Sequence, residues 1–332
     1  MDYPKTYRAR RIIEDIIKAL NIDLNGYSIL TEVGSNHFIY TPIIAQMANA
    51  QKVFAWTRDS EYGNANEIIK LCKQISESFD LPPNIEFKAN DRPIEHIKNA
   101  DIITNLGNIR PLDKFFLGNT KKGAVISLMC ESWEVRMQDI DIKFCRENAI
   151  KVGGTWENAP ELGVFDGCGP LAIKIANESG FEVYQNNIII WSDDHFGDVI
   201  GNSFKRYGAN KVIQTISKEV LYENAALTDF IFLTDYDEIN PIFAENGIID
   251  ILKLQKLNPD LAIIHLYGCV DNEYVKRCGL AVYPDKKGYA SRMTYTLAHL
   301  GMNPIINLHA AGFKVGELLQ KDINNQLVQK MV

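Results

Sequence analysis

Twice along the chain, short runs of β-branched and aromatic residues alternate with longer stretches whose apolar residues recur at helical spacing. In the first half the apolar runs are "YSILTEVG" (27–34), "KVFAWT" (52–57), "IEFKA" (85–89), "ADIITNLG" (100–107), "GAVISLMC" (123–130) and "IKVGGT" (150–155). In the second half they are "NIIIWS" (187–192), "KVIQTI" (211–216), "DFIFLT" (229–234) and "LAIIHLYG" (261–268). Helical spacing marks 4–22, 38–50, 65–79, 141–149, 170–181, 197–208, 248–257 and 312–331. Strands apolar on both faces must be covered on both, and parallel neighbours need a crossover of a dozen or so residues. The alternation therefore predicts α/β architecture with parallel sheets and right-handed crossovers. It stops and restarts, so two doubly wound domains are expected, 1–156 and 157–311, with a cleft between them. The last helix, 312–332, is expected to return to the first domain. A chain of 332 residues has room for both.

The charge balance narrows the partners. Net charge is −7, and the only basic cluster is "RARR" at 8–11, which falls on an amphipathic helix and reads as its solvated face. Nucleic-acid binding needs a basic stripe and is not expected. The six cysteines, at 72, 130, 145, 168, 269 and 278, include no CxxC pair, so zinc and dithiol spacing are absent. Cysteine usage fits a reducing cytoplasm, and with no charged-then-apolar leader and no apolar run near 18 residues, neither signal peptide nor membrane span is expected.

Ligands of open α/β sheets bind beyond the carboxyl ends of strands. That rule selects Gly34, Ser35, Asn36 and His37, then Arg58, Asn108 and Arg110, then Glu131 and Trp133 in the first domain. In the second it selects Ser192 to Gly197, Thr234, Asp235 and Tyr267. In "SDDHFG" (192–197) a strand runs into a helix through a turn shaped like a nucleotide turn, but two aspartates stand in it. Asp193, Asp194 and Asp198 suit the helix N-terminus as caps, and His195 lies among them. A metal is not expected, because no second His/Asp cluster accompanies them. His265, inside an apolar run, reads as a core histidine. Arg110 is a candidate for a substrate carboxylate, with Asn108 beside it; His195 is a candidate for substrate contact; Glu131 is a candidate acid/base or amine binder.

Several second-half segments, in order, resemble the D-2-hydroxyacid dehydrogenases. "MQDIDIKFCRENAIKVGGTWENAPELGVFDGCGPLAIKIA" (137–176), "SDDHFG" with the βαβ spacing that follows it, "LNPDLAIIHLYGCVDNEYV" (257–275) and "NPIINLHAAGFKVGE" (303–317) are similar to that family's segments. The resemblance covers roughly the last 190 residues and implies two Rossmann-like domains, an NAD or NADP cofactor, a small polar metabolite as substrate and, by analogy, a homodimer. It implies that His309 is the acid/base and that Tyr267 stands in place of the substrate-binding arginine, a tyrosine being unable to hold a carboxylate as a bidentate cation. The glutamate that pairs with the histidine would fall near 279–288, where Asp285 is the only acid. Ser192 and Asp194 then occupy the two phosphate-facing glycine positions, and Gly197 keeps the packing glycine. A carboxylate a few ångströms from a phosphate costs roughly 4 kcal/mol per charge pair at an effective dielectric near 20, about three decades in affinity. In the first domain "VFAWTRDSE" and "NADIITNLGNIRPLD" resemble the NAD domain of the ornithine cyclodeaminase group. There Gly34, Ser35 and Asn36 offer an anion site without an acid in the turn, and Arg58 can meet a 2′-phosphate. Two readings follow. One is an NAD(P)-linked oxidoreductase with non-standard cofactor turns. The other is a protein of the same fold that has lost dinucleotide binding and holds a small molecule for sensing or non-redox chemistry.

Overall fold

In the computed structural model, which describes residues 6–332, the two alternating runs become two separate, mainly parallel sheets. The chain divides into two compact units, one made of residues up to Val164 together with Gly301–Val332, the other of Phe165–Leu300.

Unit 1 contains α1 (Thr6–Leu20), β1 (Ser28–Glu32), α2 (Thr41–Met47), β2 (Lys52–Thr57), α3 (Ala65–Ser78), β3 (Ile85–Ala89), α4 (Ile94–Asn99), β4 (Ile102–Thr104), α5 (Lys114–Gly118), β5 (Val125–Ser127), α6 (Ile142–Glu147) and β6 (Lys151–Thr155). Unit 2 contains α7 (Cys168–Glu178), β7 (Asn187–Trp191), α8 (His195–Arg206), β8 (Lys211–Thr215), α9 (Lys218–Asn224), β9 (Phe230–Leu233), α10 (Ile251–Leu257), β10 (Ala262–His265), α11 (Asn272–Arg277) and β11 (Ala281–Tyr283). The chain then returns to unit 1 with α12 (Met302–Gln320) and β12 (Val328–Lys330).

The sheet of unit 1 runs β3-β2-β1-β4-β5-β6, with β12 antiparallel on the β6 edge. That is the order 3-2-1-4-5-6 of dinucleotide-binding domains, with its switch point between β1 and β4. The sheet of unit 2 runs β8-β7-β9-β10-β11, all parallel. That is the order 2-1-3-4-5, with its switch point between β7 and β9. The central strands are buried on both faces, as near-continuous apolar runs require. Leu30, Phe54, Trp56, Ile103, Ile126 and Val152 form one layer of the unit 1 core. Ile189, Trp191, Ile231, Leu233 and Ile263 anchor that of unit 2.

The C-terminal segment departs most from expectation. Helix α12 starts at Met302, ten residues before the expected 312, and takes in "NPIINLHAAG". Pro304 sits in its first turn, where a missing N–H costs nothing. The helix packs on α1 and α2 and lies over β4, β5 and β6. Its residues are apolar nearly all round, so periodicity could not separate it from a buried strand. It also ends early, at Gln320, and the residues expected to extend it to 331 form β12 instead. Asn325 Oδ1 takes the N–H of Leu327 at the entry to that strand.

Candidate functional site

In unit 2 the turn after β7 brings Asp194 to the N-terminus of α8. Its Oδ1 accepts from Gly197 N at 3.1 Å and from Ser192 Oγ at 2.8 Å, and its Oδ2 accepts from Tyr236 N at 2.9 Å, just beyond β9. The carboxylate therefore bridges the switch point and takes the helix N–H that a phosphate oxygen would use. Ser192 is fully buried and also receives Asp194 N at 3.1 Å, so it is an internal brace. A β-carbon at Gly197 would lie 2.5 Å from Ser192 Oγ and 2.7 Å from Gln214 Nε2, so glycine is required there for helix–strand contact. Asp198 bonds Gln214 Nε2 at 3.1 Å.

Around this turn stands an aromatic group. Phe196 lies 4.6 Å from Tyr267 and 5.8 Å from Tyr236, ring centre to ring centre, and Phe165 packs on both Phe196 and the exposed His195. Tyr267 is buried among these rings. Asp235, which follows β9, is 5% exposed. Burial first, then the charges of Asp194 and Asp193, push its carboxyl above the usual range. Burial likewise holds His265 down at about 4; its Nδ1 pairs with Thr294 Oγ1 at 2.9 Å. Asp285 is exposed and pairs with Lys276 at 2.6 Å.

In unit 1 the switch point is lined by Glu32 at the tip of β1, by Gly34, and by Gly107, Asn108 and Arg110 after β4. Glu32 is 7% exposed. Its Oε2 accepts from Asn108 N at 2.8 Å, and Oε1 accepts no hydrogen bond among the described residues. Burial raises its pKa above the ordinary carboxylate value, against the lowering effects of the Asn108 N–H, Arg110 and Arg58. Gly34 is fixed by packing, since a β-carbon there would meet Phe38 Cβ at 2.7 Å. A β-carbon at Gly107 would meet only Glu32 Oε2, at 3.7 Å, so the space over Gly107 is open. Ser35 precedes a tight 3-10 turn, and Asn36 adopts a left-handed backbone at φ 51°. The expected long helix over 38–50 is instead this turn followed by the short α2, so helix-dipole support for an anion is weak. Arg58 is exposed after β2 and makes no hydrogen bond or ion pair among the described residues. Arg110 is held by Asp139 at 2.7 Å. Thr57 Oγ1 and Ser127 Oγ, at the tips of β2 and β5, are buried without a hydrogen-bond partner among the described residues.

A second acidic group sits on the same sheet edge, beyond β5 and β6. Glu131 accepts from Glu157 N at 3.0 Å, Trp133 Nε1 at 2.6 Å and Gln329 Nε2 at 3.3 Å, and its own N–H donates to Glu134 Oε1 at 2.9 Å. Burial, then the charges of Glu134 and Glu131, raise Glu157 well above the usual carboxylate range. A hydrogen bond between the two carboxyls raises Glu157 further and acts to lower Glu134. Glu131 itself braces this pair. The structure thus brings Gly34, Ser35, Asn36, Asn108, Arg110 and Glu131 to the carboxyl edge of one sheet, and Ser192, Asp194, His195, Gly197 and Tyr267 to that of the other.

His309 lies inside α12, 2% exposed. Thr41 Oγ1 gives its proton to Phe38 O at 2.9 Å, so His309 Nδ1, 2.8 Å away, is the donor to Thr41. Burial holds the ring down at about 3. Such an imidazole stays neutral at physiological pH and packs tilted on Phe38, the environment of a core histidine. The residue match to "NLHAAG" remains, but the local structure is mid-helix.

Sequence reading passed over Glu32, Glu134, Glu157 and, as a titrating group, Asp235. The visible signal for Glu32 was the one charged residue in the otherwise uncharged strand "SILTE". Among the described residues no group of His, Cys, Asp and Glu could hold a metal ion, the six cysteines are free, and no helix is long and apolar enough to cross a membrane.

No protein-family model matches the chain, and no curated protein matches it in sequence. Solved structures match it in fold. A dipicolinate synthase chain from Bacillus subtilis superposes with a TM-score of 0.53 at 12% identity, over 91% of this chain and 98% of that one. Its counterpart from Bacillus halodurans, also a dipicolinate synthase, gives the same score and identity over 91% and 99%. The pyruvate reductase of Chlamydomonas reinhardtii gives 0.51 at 12% identity over 91% and 98%. At this identity the likeness is one of fold. The architecture is two-domain, Rossmann-like α/β.

Proposed function

We propose that this chain is an NAD(P)-linked oxidoreductase acting on a small polar metabolite, with the dinucleotide held in unit 1 at the crevice between β1 and β4. The observation that carries the reading is the strand order 3-2-1-4-5-6, which puts a switch point between two glycines, Gly34 and Gly107, with the unengaged Arg58 at the tip of the next strand. Unit 2 does not fit the group, because Asp194 already fills its phosphate position. Unit 1 does. Open space over Gly107 admits close backbone approach, and Thr57 Oγ1 at the tip of β2 is an unpaired polar atom beside Arg58. Arg58 favours NADP(H) over NAD(H), since a guanidinium matches a 2′-phosphate.

When bound, the nicotinamide supplies hydride transfer. The chain's part is to bind, orient and move a proton. The Glu157–Glu134 pair, two hydrogen-bonded carboxyls with raised proton affinity, takes over the acid/base role that the resemblance gave to His309. A carbonyl acid is the substrate class favoured by the fold likeness to a pyruvate reductase. Arg110, which keeps its ion pair with Asp139, is the candidate for the substrate's carboxylate, leaving the cofactor's phosphate to Arg58.

Thermal shift with NAD, NADH, NADP and NADPH tests the reading. A ligand at about 100 times its dissociation constant adds roughly 2.7 kcal/mol, a shift of several degrees. NADPH should stabilise most, and Arg58→Ala should abolish its advantage over NADH. No shift with any of the four at millimolar concentration would favour the second reading, a small-molecule binder that has lost the dinucleotide. The carboxylates of Asp194 and Glu32 are what support that alternative.

A further inference from the structure

We propose that Glu32 makes binding of a phosphate-bearing ligand in the unit 1 crevice proton-linked: the neutral carboxyl donates to a phosphate oxygen, and the ionised carboxylate repels it. The inference rests on the reading that the crevice takes a dinucleotide.

The geometry is specific to this side chain. Oε2 is committed to Asn108 N, while Oε1 accepts no hydrogen bond among the described residues and lies 3.6 Å from where a β-carbon of Gly34 would be. Gly107, from beyond β4, leaves open the space beside the carboxyl, so a ligand can come against it there. Two cations face it, Arg58 from the tip of β2 and Arg110 from the loop after β4. Arg110 is already paired with Asp139. Arg58, which makes no ion pair among the described residues, is the cation left to meet a phosphate, and burial outweighs both arginines to raise the proton affinity of Glu32. A bound phosphate adds a negative charge and raises the proton affinity further, so above the group's own pKa the ligand must bring about one proton with it. The carboxyl thus serves as a donor where most nucleotide turns offer only backbone N–H groups.

Calorimetric titration of the whole protein tests this, with NADPH as one probe and inorganic pyrophosphate as the other. It is run from pH 6 to 8.5 in buffers of different ionisation enthalpy. Wild type should take up close to one proton more per ligand than Glu32→Gln, and its affinity should fall up to tenfold per pH unit relative to that variant. Glutamine still accepts Asn108 N, so folding is not at issue. Carbon-13 NMR of the glutamate carboxyls should show one titrating above the normal range, lost in Glu32→Gln and shifted higher by pyrophosphate. Equal proton uptake in wild type and variant overturns the inference, and so does failure of both probes to bind. Pyrophosphate binding with the extra proton, but no NADPH binding, upholds it while sinking the dinucleotide reading.

Discussion

Each switch point carries a carboxylate near where a dinucleotide's phosphates would approach, but the two are used in opposite ways. Asp194 is saturated by Gly197 N, Ser192 Oγ and Tyr236 N, which tie the N-terminus of α8 to the loop beyond β9. Glu32 has one N–H donor, little solvent and a raised proton affinity. A carboxylate given several donors becomes part of the scaffold and closes an anion site. A carboxylate given one donor and buried stays protonatable and leaves the site usable. Similar folds with acids in similar places thus differ by how many N–H and O–H groups are aimed at the acid.

The sharpest way to break this contrast is to remove the saturated carboxylate. Asp194→Ala loses an N-cap, about 0.5–2 kcal/mol, and strands the Tyr236 N–H, about 1–3 kcal/mol more if it stays dry. Denaturant unfolding should show a total loss of about 2–4 kcal/mol. Millimolar phosphate should restore part of it, because the emptied donors form an anion site. A loss under about 0.5 kcal/mol would mean the donors find water easily and Asp194 closes nothing.

How far this contrast was readable from sequence differs between the two sites. The α/β alternation announced both sheets, because buried parallel strands such as "NIIIW" leave continuous apolar runs. The tight packing at Gly197 and the capping of α8 by Asp194 were readable once the turn was set against the family it resembles, since turn length fixes which residue meets the helix start. Glu32 was not. Its importance comes from Asn108, 76 positions on, and from the strand order that sets β4 beside β1, which no local pattern encodes. His309 differs in the other direction. Its neighbours in sequence matched a catalytic segment, but α12 began ten residues early and turned the ring into the core against Thr41 and Phe38.

Glu32→Gln sharpens the comparison from the other side. Below pH 4.5 the carboxyl is neutral in folded and unfolded chains alike. As pH rises from there through the raised folded pKa, the unfolded chain ionises first and wild type loses stability, by up to about 1.4 kcal/mol per pH unit. The glutamine variant should lack that slope. Parallel unfolding curves of the two proteins against pH would show that Glu32 is solvated after all, and the two carboxylates would then differ in degree only.

His309→Gln asks whether unit 1 holds another proton carrier beside the crevice. The folded pKa is depressed to about 3 from an unfolded 6.5, so the stability it confers is present above pH 6.5 and is lost as pH falls. Wild type should lose about 1 kcal/mol more than the variant between pH 6.5 and 5.5, continuing toward pH 3. Any NADPH-dependent turnover should keep its pH profile in the variant. A profile that shifts by a unit or more would return His309 to the reaction and end its reading as a core residue.

Arg58→Ala is the smallest expected change in stability and the most selective in binding. The side chain is exposed and unengaged, so its loss should alter unfolding free energy by less than about 0.5 kcal/mol. Its guanidinium is nevertheless the cation left to a ligand once Arg110 is taken by Asp139. Affinity for NADPH should fall about tenfold or more, the weight of one charge-assisted hydrogen bond of about 1.5–3 kcal/mol, with NADH affected less. The same substitution removes a cation facing Glu32, so the glutamate should hold its proton to still higher pH in the variant. A stability-neutral change that lowers NADPH affinity and raises the Glu32 titration together would tie both groups to one crevice. A loss of affinity with the Glu32 titration unmoved would separate them, leaving the poised carboxylate without the charge that makes it selective.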